Sequence, residues 1–226
     1  MNNRFKRVRL IFLFLLVFVI GIQAKNPREK MWLPEINAFM RQDSCSFPAK
    51  NQILFVGSSS IRGWKSLPAY FEGYPVLQRG VGGTHLEDII YFAEKIIFPY
   101  SPSQIVLYEG DNDLKDGFTP ESYLDDVKTF VRLVQIKQPG TPILILSIKP
   151  SPARDYLKHK YMSANKLLES YCMSNELLSY IDISSSVLDD DGVYIADSFL
   201  SDKLHLTTTA YEKWAEIIKP HLIKIE

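Results

Sequence analysis

The chain has 226 residues, of which 46% are hydrophobic and 12% aromatic, and its 26 basic and 26 acidic side chains cancel. This length and composition are typical of a single globular domain with one well-buried core. Because no long basic stripe follows the first few residues, the charge pattern of a nucleic-acid-binding protein is missing, and we expect no nucleic-acid partner.

Residues 1–24 have the pattern of a secretory signal peptide. Basic side chains between Arg4 and Arg9 precede an apolar run from Leu10 to Ile22, and Ala24 offers a small residue for cleavage. The run is shorter than the roughly 20 residues of a membrane-spanning helix, so we expect cleavage near Ala24 and no stable membrane span afterwards. An uncleaved anchor is the alternative. The protein is predicted to be secreted or periplasmic.

Residues 25–50 are predicted to form an N-terminal extension with a short helix around Pro34 to Met40, followed by one domain over residues 51–226. Cys45 and Cys172 are the only cysteines. They could pair in an oxidising compartment, or remain two small unpaired hydrophobic residues, and the sequence leaves both open.

From residue 51 onwards, short apolar runs alternate with stretches of helical period. The runs are partly β-branched and bounded by Gly, Pro, Ser or Asp, which predicts strands. This alternation predicts a flavodoxin-like parallel sheet with strand order 2-1-3-4-5, covered by helices on both faces in a three-layer α/β/α sandwich. The predicted strands are Ile53 to Val56, Pro75 to Leu77, Ile105 to Tyr108, Ile143 to Ile148 and Leu178 to Ile183; the predicted helices are Leu86 to Ile97, Pro120 to Gln138, Tyr156 to Ser174 and Thr207 to Ile223.

Polar, glycine-containing loops follow the first three predicted strands. They are Gly57 to Ser60, Arg79 to Thr84 and Glu109 to Asp113. In the predicted strand order, these three strands lie side by side, and ligands of open parallel sheets bind at the carboxyl ends of the strands. We therefore expect the three loops to converge on one crevice.

The chain also holds the three groups that nucleophilic catalysis by serine requires. The first loop carries a serine cluster, Ser58 to Ser60, and Asp202 and His205 stand three residues apart before the last predicted helix. A hydroxyl becomes a good nucleophile when an imidazole takes its proton and a carboxylate orients that imidazole. Taken singly, each residue has a simpler interpretation: a helix cap, a structural histidine or a surface charge.

These loops resemble the four sequence blocks of the SGNH, or GDSL-like, hydrolase superfamily. The first block reads Gly57-Ser58-Ser59 instead of Gly-Asp-Ser and is similar to a variant of the form Gly-Ser-Ser-Ser-Ile-Arg. The others match Gly82-Gly83, Gly110-Asp111-Asn112-Asp113 and Asp202-Lys203-Leu204-His205.

The resemblance implies a catalytic triad of Ser59, Asp202 and His205. It also implies an oxyanion hole formed by the Ser59 and Gly83 backbone N–H groups and the Asn112 side chain, with no metal or organic cofactor. Because Ser58 replaces the usual aspartate, the choice between Ser58 and Ser59 as nucleophile is left to mutagenesis.

The resemblance further implies a serine esterase that acts on a small-molecule, carbohydrate or lipid ester. A secreted, neutral chain without a lid-like apolar insertion favours short, acetyl-type acyl groups. The alternatives are an acyltransferase or a lysophospholipase on the same site, or a carbohydrate-binding protein without catalysis.

Other residues have weaker support from the sequence. The segment from Lys149 to Arg154 is predicted to border the crevice, with Arg154 and Trp64 as structural or substrate-wall candidates. His85, His159 and His221 are weaker candidates than His205, because we expect none of them to have an aspartate partner. The G-x-S-x-G pattern of α/β-hydrolases is absent, because Ile61 stands two residues after Ser59.

Overall fold

The computed structural model describes residues 27–224, so the predicted signal peptide, residues 1–24, lies outside the described residues. Within this range the chain forms a parallel sheet and eight α-helices. The strands are β1 (Ile53–Gly57), β2 (Val76–Gly80), β3 (Gln104–Tyr108), β4 (Ile143–Leu146) and β5 (Leu178–Ile181). The helices are α1 (Glu29–Cys45), α2 (Ser59–Arg62), α3 (Leu67–Tyr70), α4 (Leu86–Ile96), α5 (Asp111–Lys115), α6 (Pro120–Lys137), α7 (Lys158–Met173) and α8 (Thr208–Ile218).

The sheet has the strand order β2-β1-β3-β4-β5, and every strand pair is parallel. The predicted order and three-layer architecture are confirmed. Each parallel connection needs a crossover of a dozen or more residues, and the helices between the strands supply it. α6 begins at the capping residue and proline that the sequence offers. The Thr119 side chain accepts a hydrogen bond from Ser122 N at 3.1 Å, and Pro120 occupies the first helical position.

The two faces of the sheet are buried in separate layers of the core. Along β1, Leu54 and Val56 pack on the face covered by α1, α4, α6 and α7, whereas Ile53 and Phe55 pack on the face covered by α2, α3 and α8. Side chains of a strand alternate between faces, so a strand buried on both sides is apolar at every position. This explains the continuous run Ile143–Leu146 in β4.

The N-terminal helix differs most from the prediction. The expected short helix around Pro34 to Met40 is wrong in its bounds, because α1 runs over Glu29–Cys45 with Pro34 inside it. A proline removes one backbone hydrogen bond from a helix interior. Tertiary burial offsets that loss, since Trp32 and Ile36 are 8% and 0% exposed in the core.

Several other boundaries shift for identifiable reasons. β2 continues to Gly80 instead of ending at Leu77, because the buried Arg79 is satisfied by Asp43 of α1, with Nη2 and Oδ1 2.6 Å apart. The helices α2, α3 and α5 have only four or five residues, too few for an amphipathic period, and were not predicted. Cys45 is exposed and Cys172 is buried, and both are free thiols. Between residues 27 and 224, no helix has the length and apolar character required to cross a membrane.

Candidate active site

The carboxyl ends of the first three strands lie level with one another. Gly57 at the end of β1 is in register with Gly80 of β2 and Tyr108 of β3. Gly57 has φ +146°, and a Cβ at this position would lie 2.0 Å from the Tyr108 carbonyl oxygen. Only glycine allows this close approach of two strand ends. The three polar loops therefore leave the sheet at the same edge, as predicted.

The structure separates the serines of the first loop by exposure and by partner. Ser58 and Ser60 are 0% and 1% exposed, whereas Ser59, the first residue of α2, is only partly buried. The Ser59 Oγ lies 3.0 Å from the His205 Nε2. With a proton on Nδ1, the imidazole accepts the Ser59 O–H at Nε2. Of the two candidate nucleophiles, Ser59 is the one hydrogen-bonded to an imidazole.

A tight turn joins His205 to Asp202. The His205 Nδ1 lies 2.6 Å from the Asp202 Oδ2, and the other carboxylate oxygen accepts backbone N–H bonds from Leu204 and His205, each at 2.9 Å. Lys203 has φ +58°, in the left-handed region, which closes the turn. Burial by itself would raise the pKa of Asp202, but the hydrogen bonds from His205 and Leu204 lower it to about 2. The carboxylate is therefore ionised near neutral pH and keeps the imidazole proton on Nδ1.

The segment that follows β4 donates two hydrogen bonds to the backbone of this turn. The Lys149 Nζ donates to the Leu204 carbonyl oxygen at 2.9 Å, and Ala153 N donates to the Lys203 carbonyl oxygen at 3.0 Å. Lys149 is 1% exposed, and burial lowers its pKa to about 8. The prediction that residues 149 to 154 border the crevice is confirmed.

The three predicted oxyanion donors each keep an N–H that is not engaged within residues 27–224. The backbone N–H groups of Ser59 and Gly83 donate to none of these residues. One side-chain N–H of Asn112 donates to the Thr84 carbonyl oxygen at 3.0 Å, which anchors the third loop to the second, and its other N–H is not engaged. Such donors can stabilise a negative oxygen in a tetrahedral intermediate.

Arg154 holds the Asn112 side chain. Its Nη2 donates to the Asn112 Oδ1 at 3.0 Å, and its Nη1 lies 3.2 Å from the Asp111 Oδ2. Because the guanidinium only donates, it determines which end of the Asn112 amide is the oxygen. The sequence analysis predicted that Arg154 borders the crevice, but it did not predict that Arg154 orients Asn112. Trp64, in contrast, is 0% exposed and stacks on Tyr211 in the core, so of its two predicted roles the structural one is confirmed.

The loop that carries Gly83 also contacts the buried acid Glu109, and the N–H of Leu86 at the start of α4 donates to a second buried acid, Asp113. The Thr84 hydroxyl lies 2.6 Å from the Glu109 Oε1 and 3.0 Å from the Val81 carbonyl oxygen. Burial, followed by the charge of Asp113, raises the pKa of Glu109 well above its ordinary value. Burial likewise raises the pKa of Asp113 to about 7. A protonated Glu109 can donate to the Thr84 hydroxyl oxygen while Thr84 donates to the Val81 carbonyl oxygen. The buried hydroxyl of this loop then both accepts and donates a hydrogen bond.

The remaining histidines are less involved. His85 precedes α4 as its N-cap and does have an aspartate partner: its Nε2 lies 2.8 Å from the Asp116 Oδ2, a residue distant in sequence that the Asp-x-x-His pattern could not reveal. In the described part of the chain, no group of three or more His, Cys, Asp or Glu residues could hold a metal ion.

No family model matches the chain. Platelet-activating factor acetylhydrolase IB subunit alpha2 from Gallus gallus is 26% identical over 201 residues, which cover 84% of this chain and 81% of the relative. A GDSL-like lipase from Bacteroides thetaiotaomicron superposes with a TM-score of 0.70 at 17% identity, over 82% of this chain and 96% of the lipase. An acetylxylan esterase from Geobacillus stearothermophilus superposes with a TM-score of 0.61 at 12% identity, over 76% and 93% of the two chains.

In sequence and in fold, the chain is similar to SGNH/GDSL-like hydrolases. The proteins that it resembles are acylhydrolases, esterases and lipases of the GDSL/SGNH type. Compared with the usual GDSL block, this protein has Ser58 in place of aspartate. Ser58 is buried, and its Oγ has no hydrogen-bond partner within residues 27–224, while its backbone N–H donates to the Tyr108 carbonyl oxygen at 3.1 Å. With serine in place of the usual aspartate, the backbone of the first loop is still hydrogen-bonded to β3.

Proposed function

We propose that this protein is a serine esterase that hydrolyses short, acetyl-type carboxylic esters through an acyl-enzyme on Ser59. The observation that carries the proposal is the hydrogen-bonded chain from the partly exposed Ser59 Oγ through His205 to Asp202, with distances of 3.0 and 2.6 Å. A buried or capping serine would not need an imidazole oriented by a carboxylate.

The mechanism follows from the roles that these groups can take. His205 accepts the Ser59 proton as the Oγ attacks the ester carbonyl carbon, and the carbonyl oxygen becomes an oxyanion facing the N–H groups of Ser59, Gly83 and Asn112. The C–O bond to the alcohol then breaks, and His205 returns the proton to the departing alkoxide. Water, deprotonated by the same imidazole, attacks the acyl-enzyme, releases the carboxylic acid and restores the Ser59 hydroxyl. Asp202 orients the imidazole and stabilises its positive charge in both halves.

The choice of a short acyl group is supported by the comparisons. The Gallus gallus relative is named an acetylhydrolase, and one structural neighbour is an acetylxylan esterase. Both names describe removal of an acetyl group from an alcohol, although the two alcohols, a lipid and a polysaccharide, differ. We therefore propose a preference for acetyl groups. The alcohol portion of the substrate has to be identified by assay.

Hydrolysis of p-nitrophenyl acetate, butyrate and octanoate by the wild type, Ser59→Ala, Ser58→Ala and His205→Ala tests the proposal. We expect Ser59→Ala and His205→Ala to lower kcat by about 10⁴-fold or more, because members of a triad act as a unit. Ser58→Ala, a buried hydroxyl of the same loop, is the matched control and should retain activity.

Three outcomes of this assay would contradict the proposed function. Loss of activity only in Ser58→Ala would move the nucleophile by one residue, and equal turnover in all four proteins would refute the triad. A higher kcat/KM for octanoate than for acetate would refute the preference for short acyl groups. Addition of an alcohol acceptor distinguishes hydrolysis from acyl transfer, since a transferase would form the new ester in place of the free acid.

A further inference from the structure

The helix α1 lies outside the strand–helix units of the fold, yet its side chains contact the loop that carries the oxyanion donor Gly83. The Glu35 Oε2 accepts a hydrogen bond from the Gly82 N–H at 3.2 Å. Arg28, which directly precedes α1, donates from Nη2 to the Gly83 carbonyl oxygen at 3.0 Å. A Cβ on Gly83 would lie 3.2 Å from the Trp32 ring, so the indole packs against this glycine.

Glu35 also reaches the loop of the nucleophile. Its second oxygen, Oε1, lies 2.6 Å from the Nη1 of Arg62, the last residue of α2. Because α2 begins at Ser59, one carboxylate connects the two segments that supply the backbone donors of the oxyanion hole. The connection is bidentate, one oxygen to each segment.

These contacts hold the peptide groups on either side of the Gly83 N–H. The peptide between Val81 and Gly82 is bound at its N–H by Glu35 and at its carbonyl oxygen by the Thr84 hydroxyl, at 3.0 Å. The peptide between Gly83 and Thr84 is bound at its carbonyl oxygen by Arg28. Two consecutive glycines have wide backbone freedom, so without such contacts the Gly83 N–H would sample several directions.

We propose that Glu35 is a positioning residue that aligns the two backbone halves of the oxyanion hole. This inference rests on the proposed esterase function, because it assigns Glu35 a part in the stabilisation of the tetrahedral oxyanion. It does not touch the substrate; it acts through the Gly82 peptide and through Arg62. Small displacements of oxyanion donors weaken their interaction with the transition state much more than with the substrate.

Kinetics of Glu35→Ala and Glu35→Gln, compared with Asp43→Asn, test the inference. Asp43 is the matched control: it lies on the same helix and pairs with Arg79 at 2.6 Å, in contact with β2 instead of the Gly83 loop. We expect Glu35→Ala to lower kcat for p-nitrophenyl acetate by about 10- to 100-fold with little change in KM. Glu35→Gln, which keeps an oxygen for the Gly82 N–H, should lose less, and Asp43→Asn should keep the wild-type kcat per folded molecule.

A second readout separates alignment from simple docking of the helix. Methylboronic acid forms a tetrahedral adduct with a nucleophilic serine and places a negatively charged oxygen in the oxyanion hole. We expect its inhibition constant to rise in Glu35→Ala by about the same factor as kcat falls, and to be unchanged in Asp43→Asn.

The outcomes distinguish this inference from the proposed function. If Ser59→Ala is inactive while the Glu35 variants match Asp43→Asn in kcat and in boronate affinity, the role of Glu35 is refuted and the esterase proposal stands. If Ser59→Ala keeps full activity, the esterase proposal itself fails. Should Glu35→Ala not fold, Glu35→Gln decides: it removes the charge that pairs with Arg62 and should still lower kcat and boronate affinity by about 3-fold, so wild-type values of both would overturn the role.

Discussion

At the scale of single residues, the site depends on side chains that fix the orientation of other side chains. Asp202 orients the His205 ring, and Arg154 orients the Asn112 amide. Neither orienting residue has to touch a substrate. Asp202 selects the tautomer of the imidazole, and Arg154 selects which end of the amide is the oxygen. Both arrangements are the ones that acyl transfer requires.

Arg154→Met tests the second of these pairs. Without the guanidinium the Asn112 amide can rotate, and we expect kcat to fall by about 10- to 100-fold with a small change in KM. The exposed Arg132 of α6 offers a control, since Arg132→Met removes the same group far from the crevice and should leave kcat unchanged.

The same variant in an Asn112→Ala background shows whether Arg154 acts through Asn112. If it does, the two changes are not additive, and Arg154→Met costs little once the amide is absent. Fully additive losses would contradict the role. Because Arg154 also pairs with the buried Asp111, the folded fraction of each variant has to be measured alongside kcat.

At the scale of elements, α1 is the part of the chain whose role changed most between sequence and structure. The sequence analysis predicts only a short helix around Pro34 to Met40 within an N-terminal extension. The structure shows a helix of 17 residues, with Trp32 and Ile36 in the main core and Asp43 paired with Arg79. An extension of this kind contributes to the stability of the whole domain.

Ile36→Ala tests that contribution. Ile36 is 0% exposed, so we expect the free energy of unfolding to fall by about 2–5 kcal/mol, the range for a truncated core side chain. Met40 lies on the same helix and is 47% exposed, and Met40→Ala should change the stability by no more than about 0.5 kcal/mol. Equal effects of the two substitutions in urea unfolding would show that α1 is not part of the cooperative core.

At the scale of the whole molecule, the buried acids make stability depend on pH. Asp113 is 0% exposed, with a pKa raised to about 7 by burial, whereas in the unfolded chain it titrates near its ordinary value. Between those two values the folded protein keeps a proton that the unfolded chain has released. The stability from this group is complete below the unfolded pKa and is lost as the pH rises through about 7. Glu109, with its pKa also raised, acts in the same direction.

Asp113→Asn remains neutral at every pH and removes the contribution of Asp113. We expect the free energy of unfolding of the wild type, relative to Asp113→Asn, to be larger at pH 5 than at pH 8, with a slope of at most about 1.4 kcal/mol per pH unit. Asp125→Asn, at a carboxylate that is 74% exposed, is the control and should follow the wild type. A difference that is constant or grows from pH 5 to pH 8 would contradict the protonated state of buried Asp113.

Residue type and periodicity predicted the alternation of strands and helices, whereas the strand order was taken from the flavodoxin-like topology and the site residues from the resemblance to SGNH hydrolases. Apolar runs and capping signals are local, and the parallel topology then brings the loops after β1, β2 and β3 to one edge. The topology could therefore bring the serine cluster and His205 together, and the resemblance selected Ser59, 146 positions from His205.

Only the tertiary structure decided which serine of the cluster is exposed, that α1 packs into the core, and that Glu35 and Arg154 hold the oxyanion donors. It also decided that Trp64 is a core residue and that burial raises the pKa of Asp113. The reason is common to all of these: exposure, pKa and bridging contacts depend on which distant elements pack around a side chain. Glu35 and Gly82, for example, lie 47 positions apart, and no spacing rule relates them.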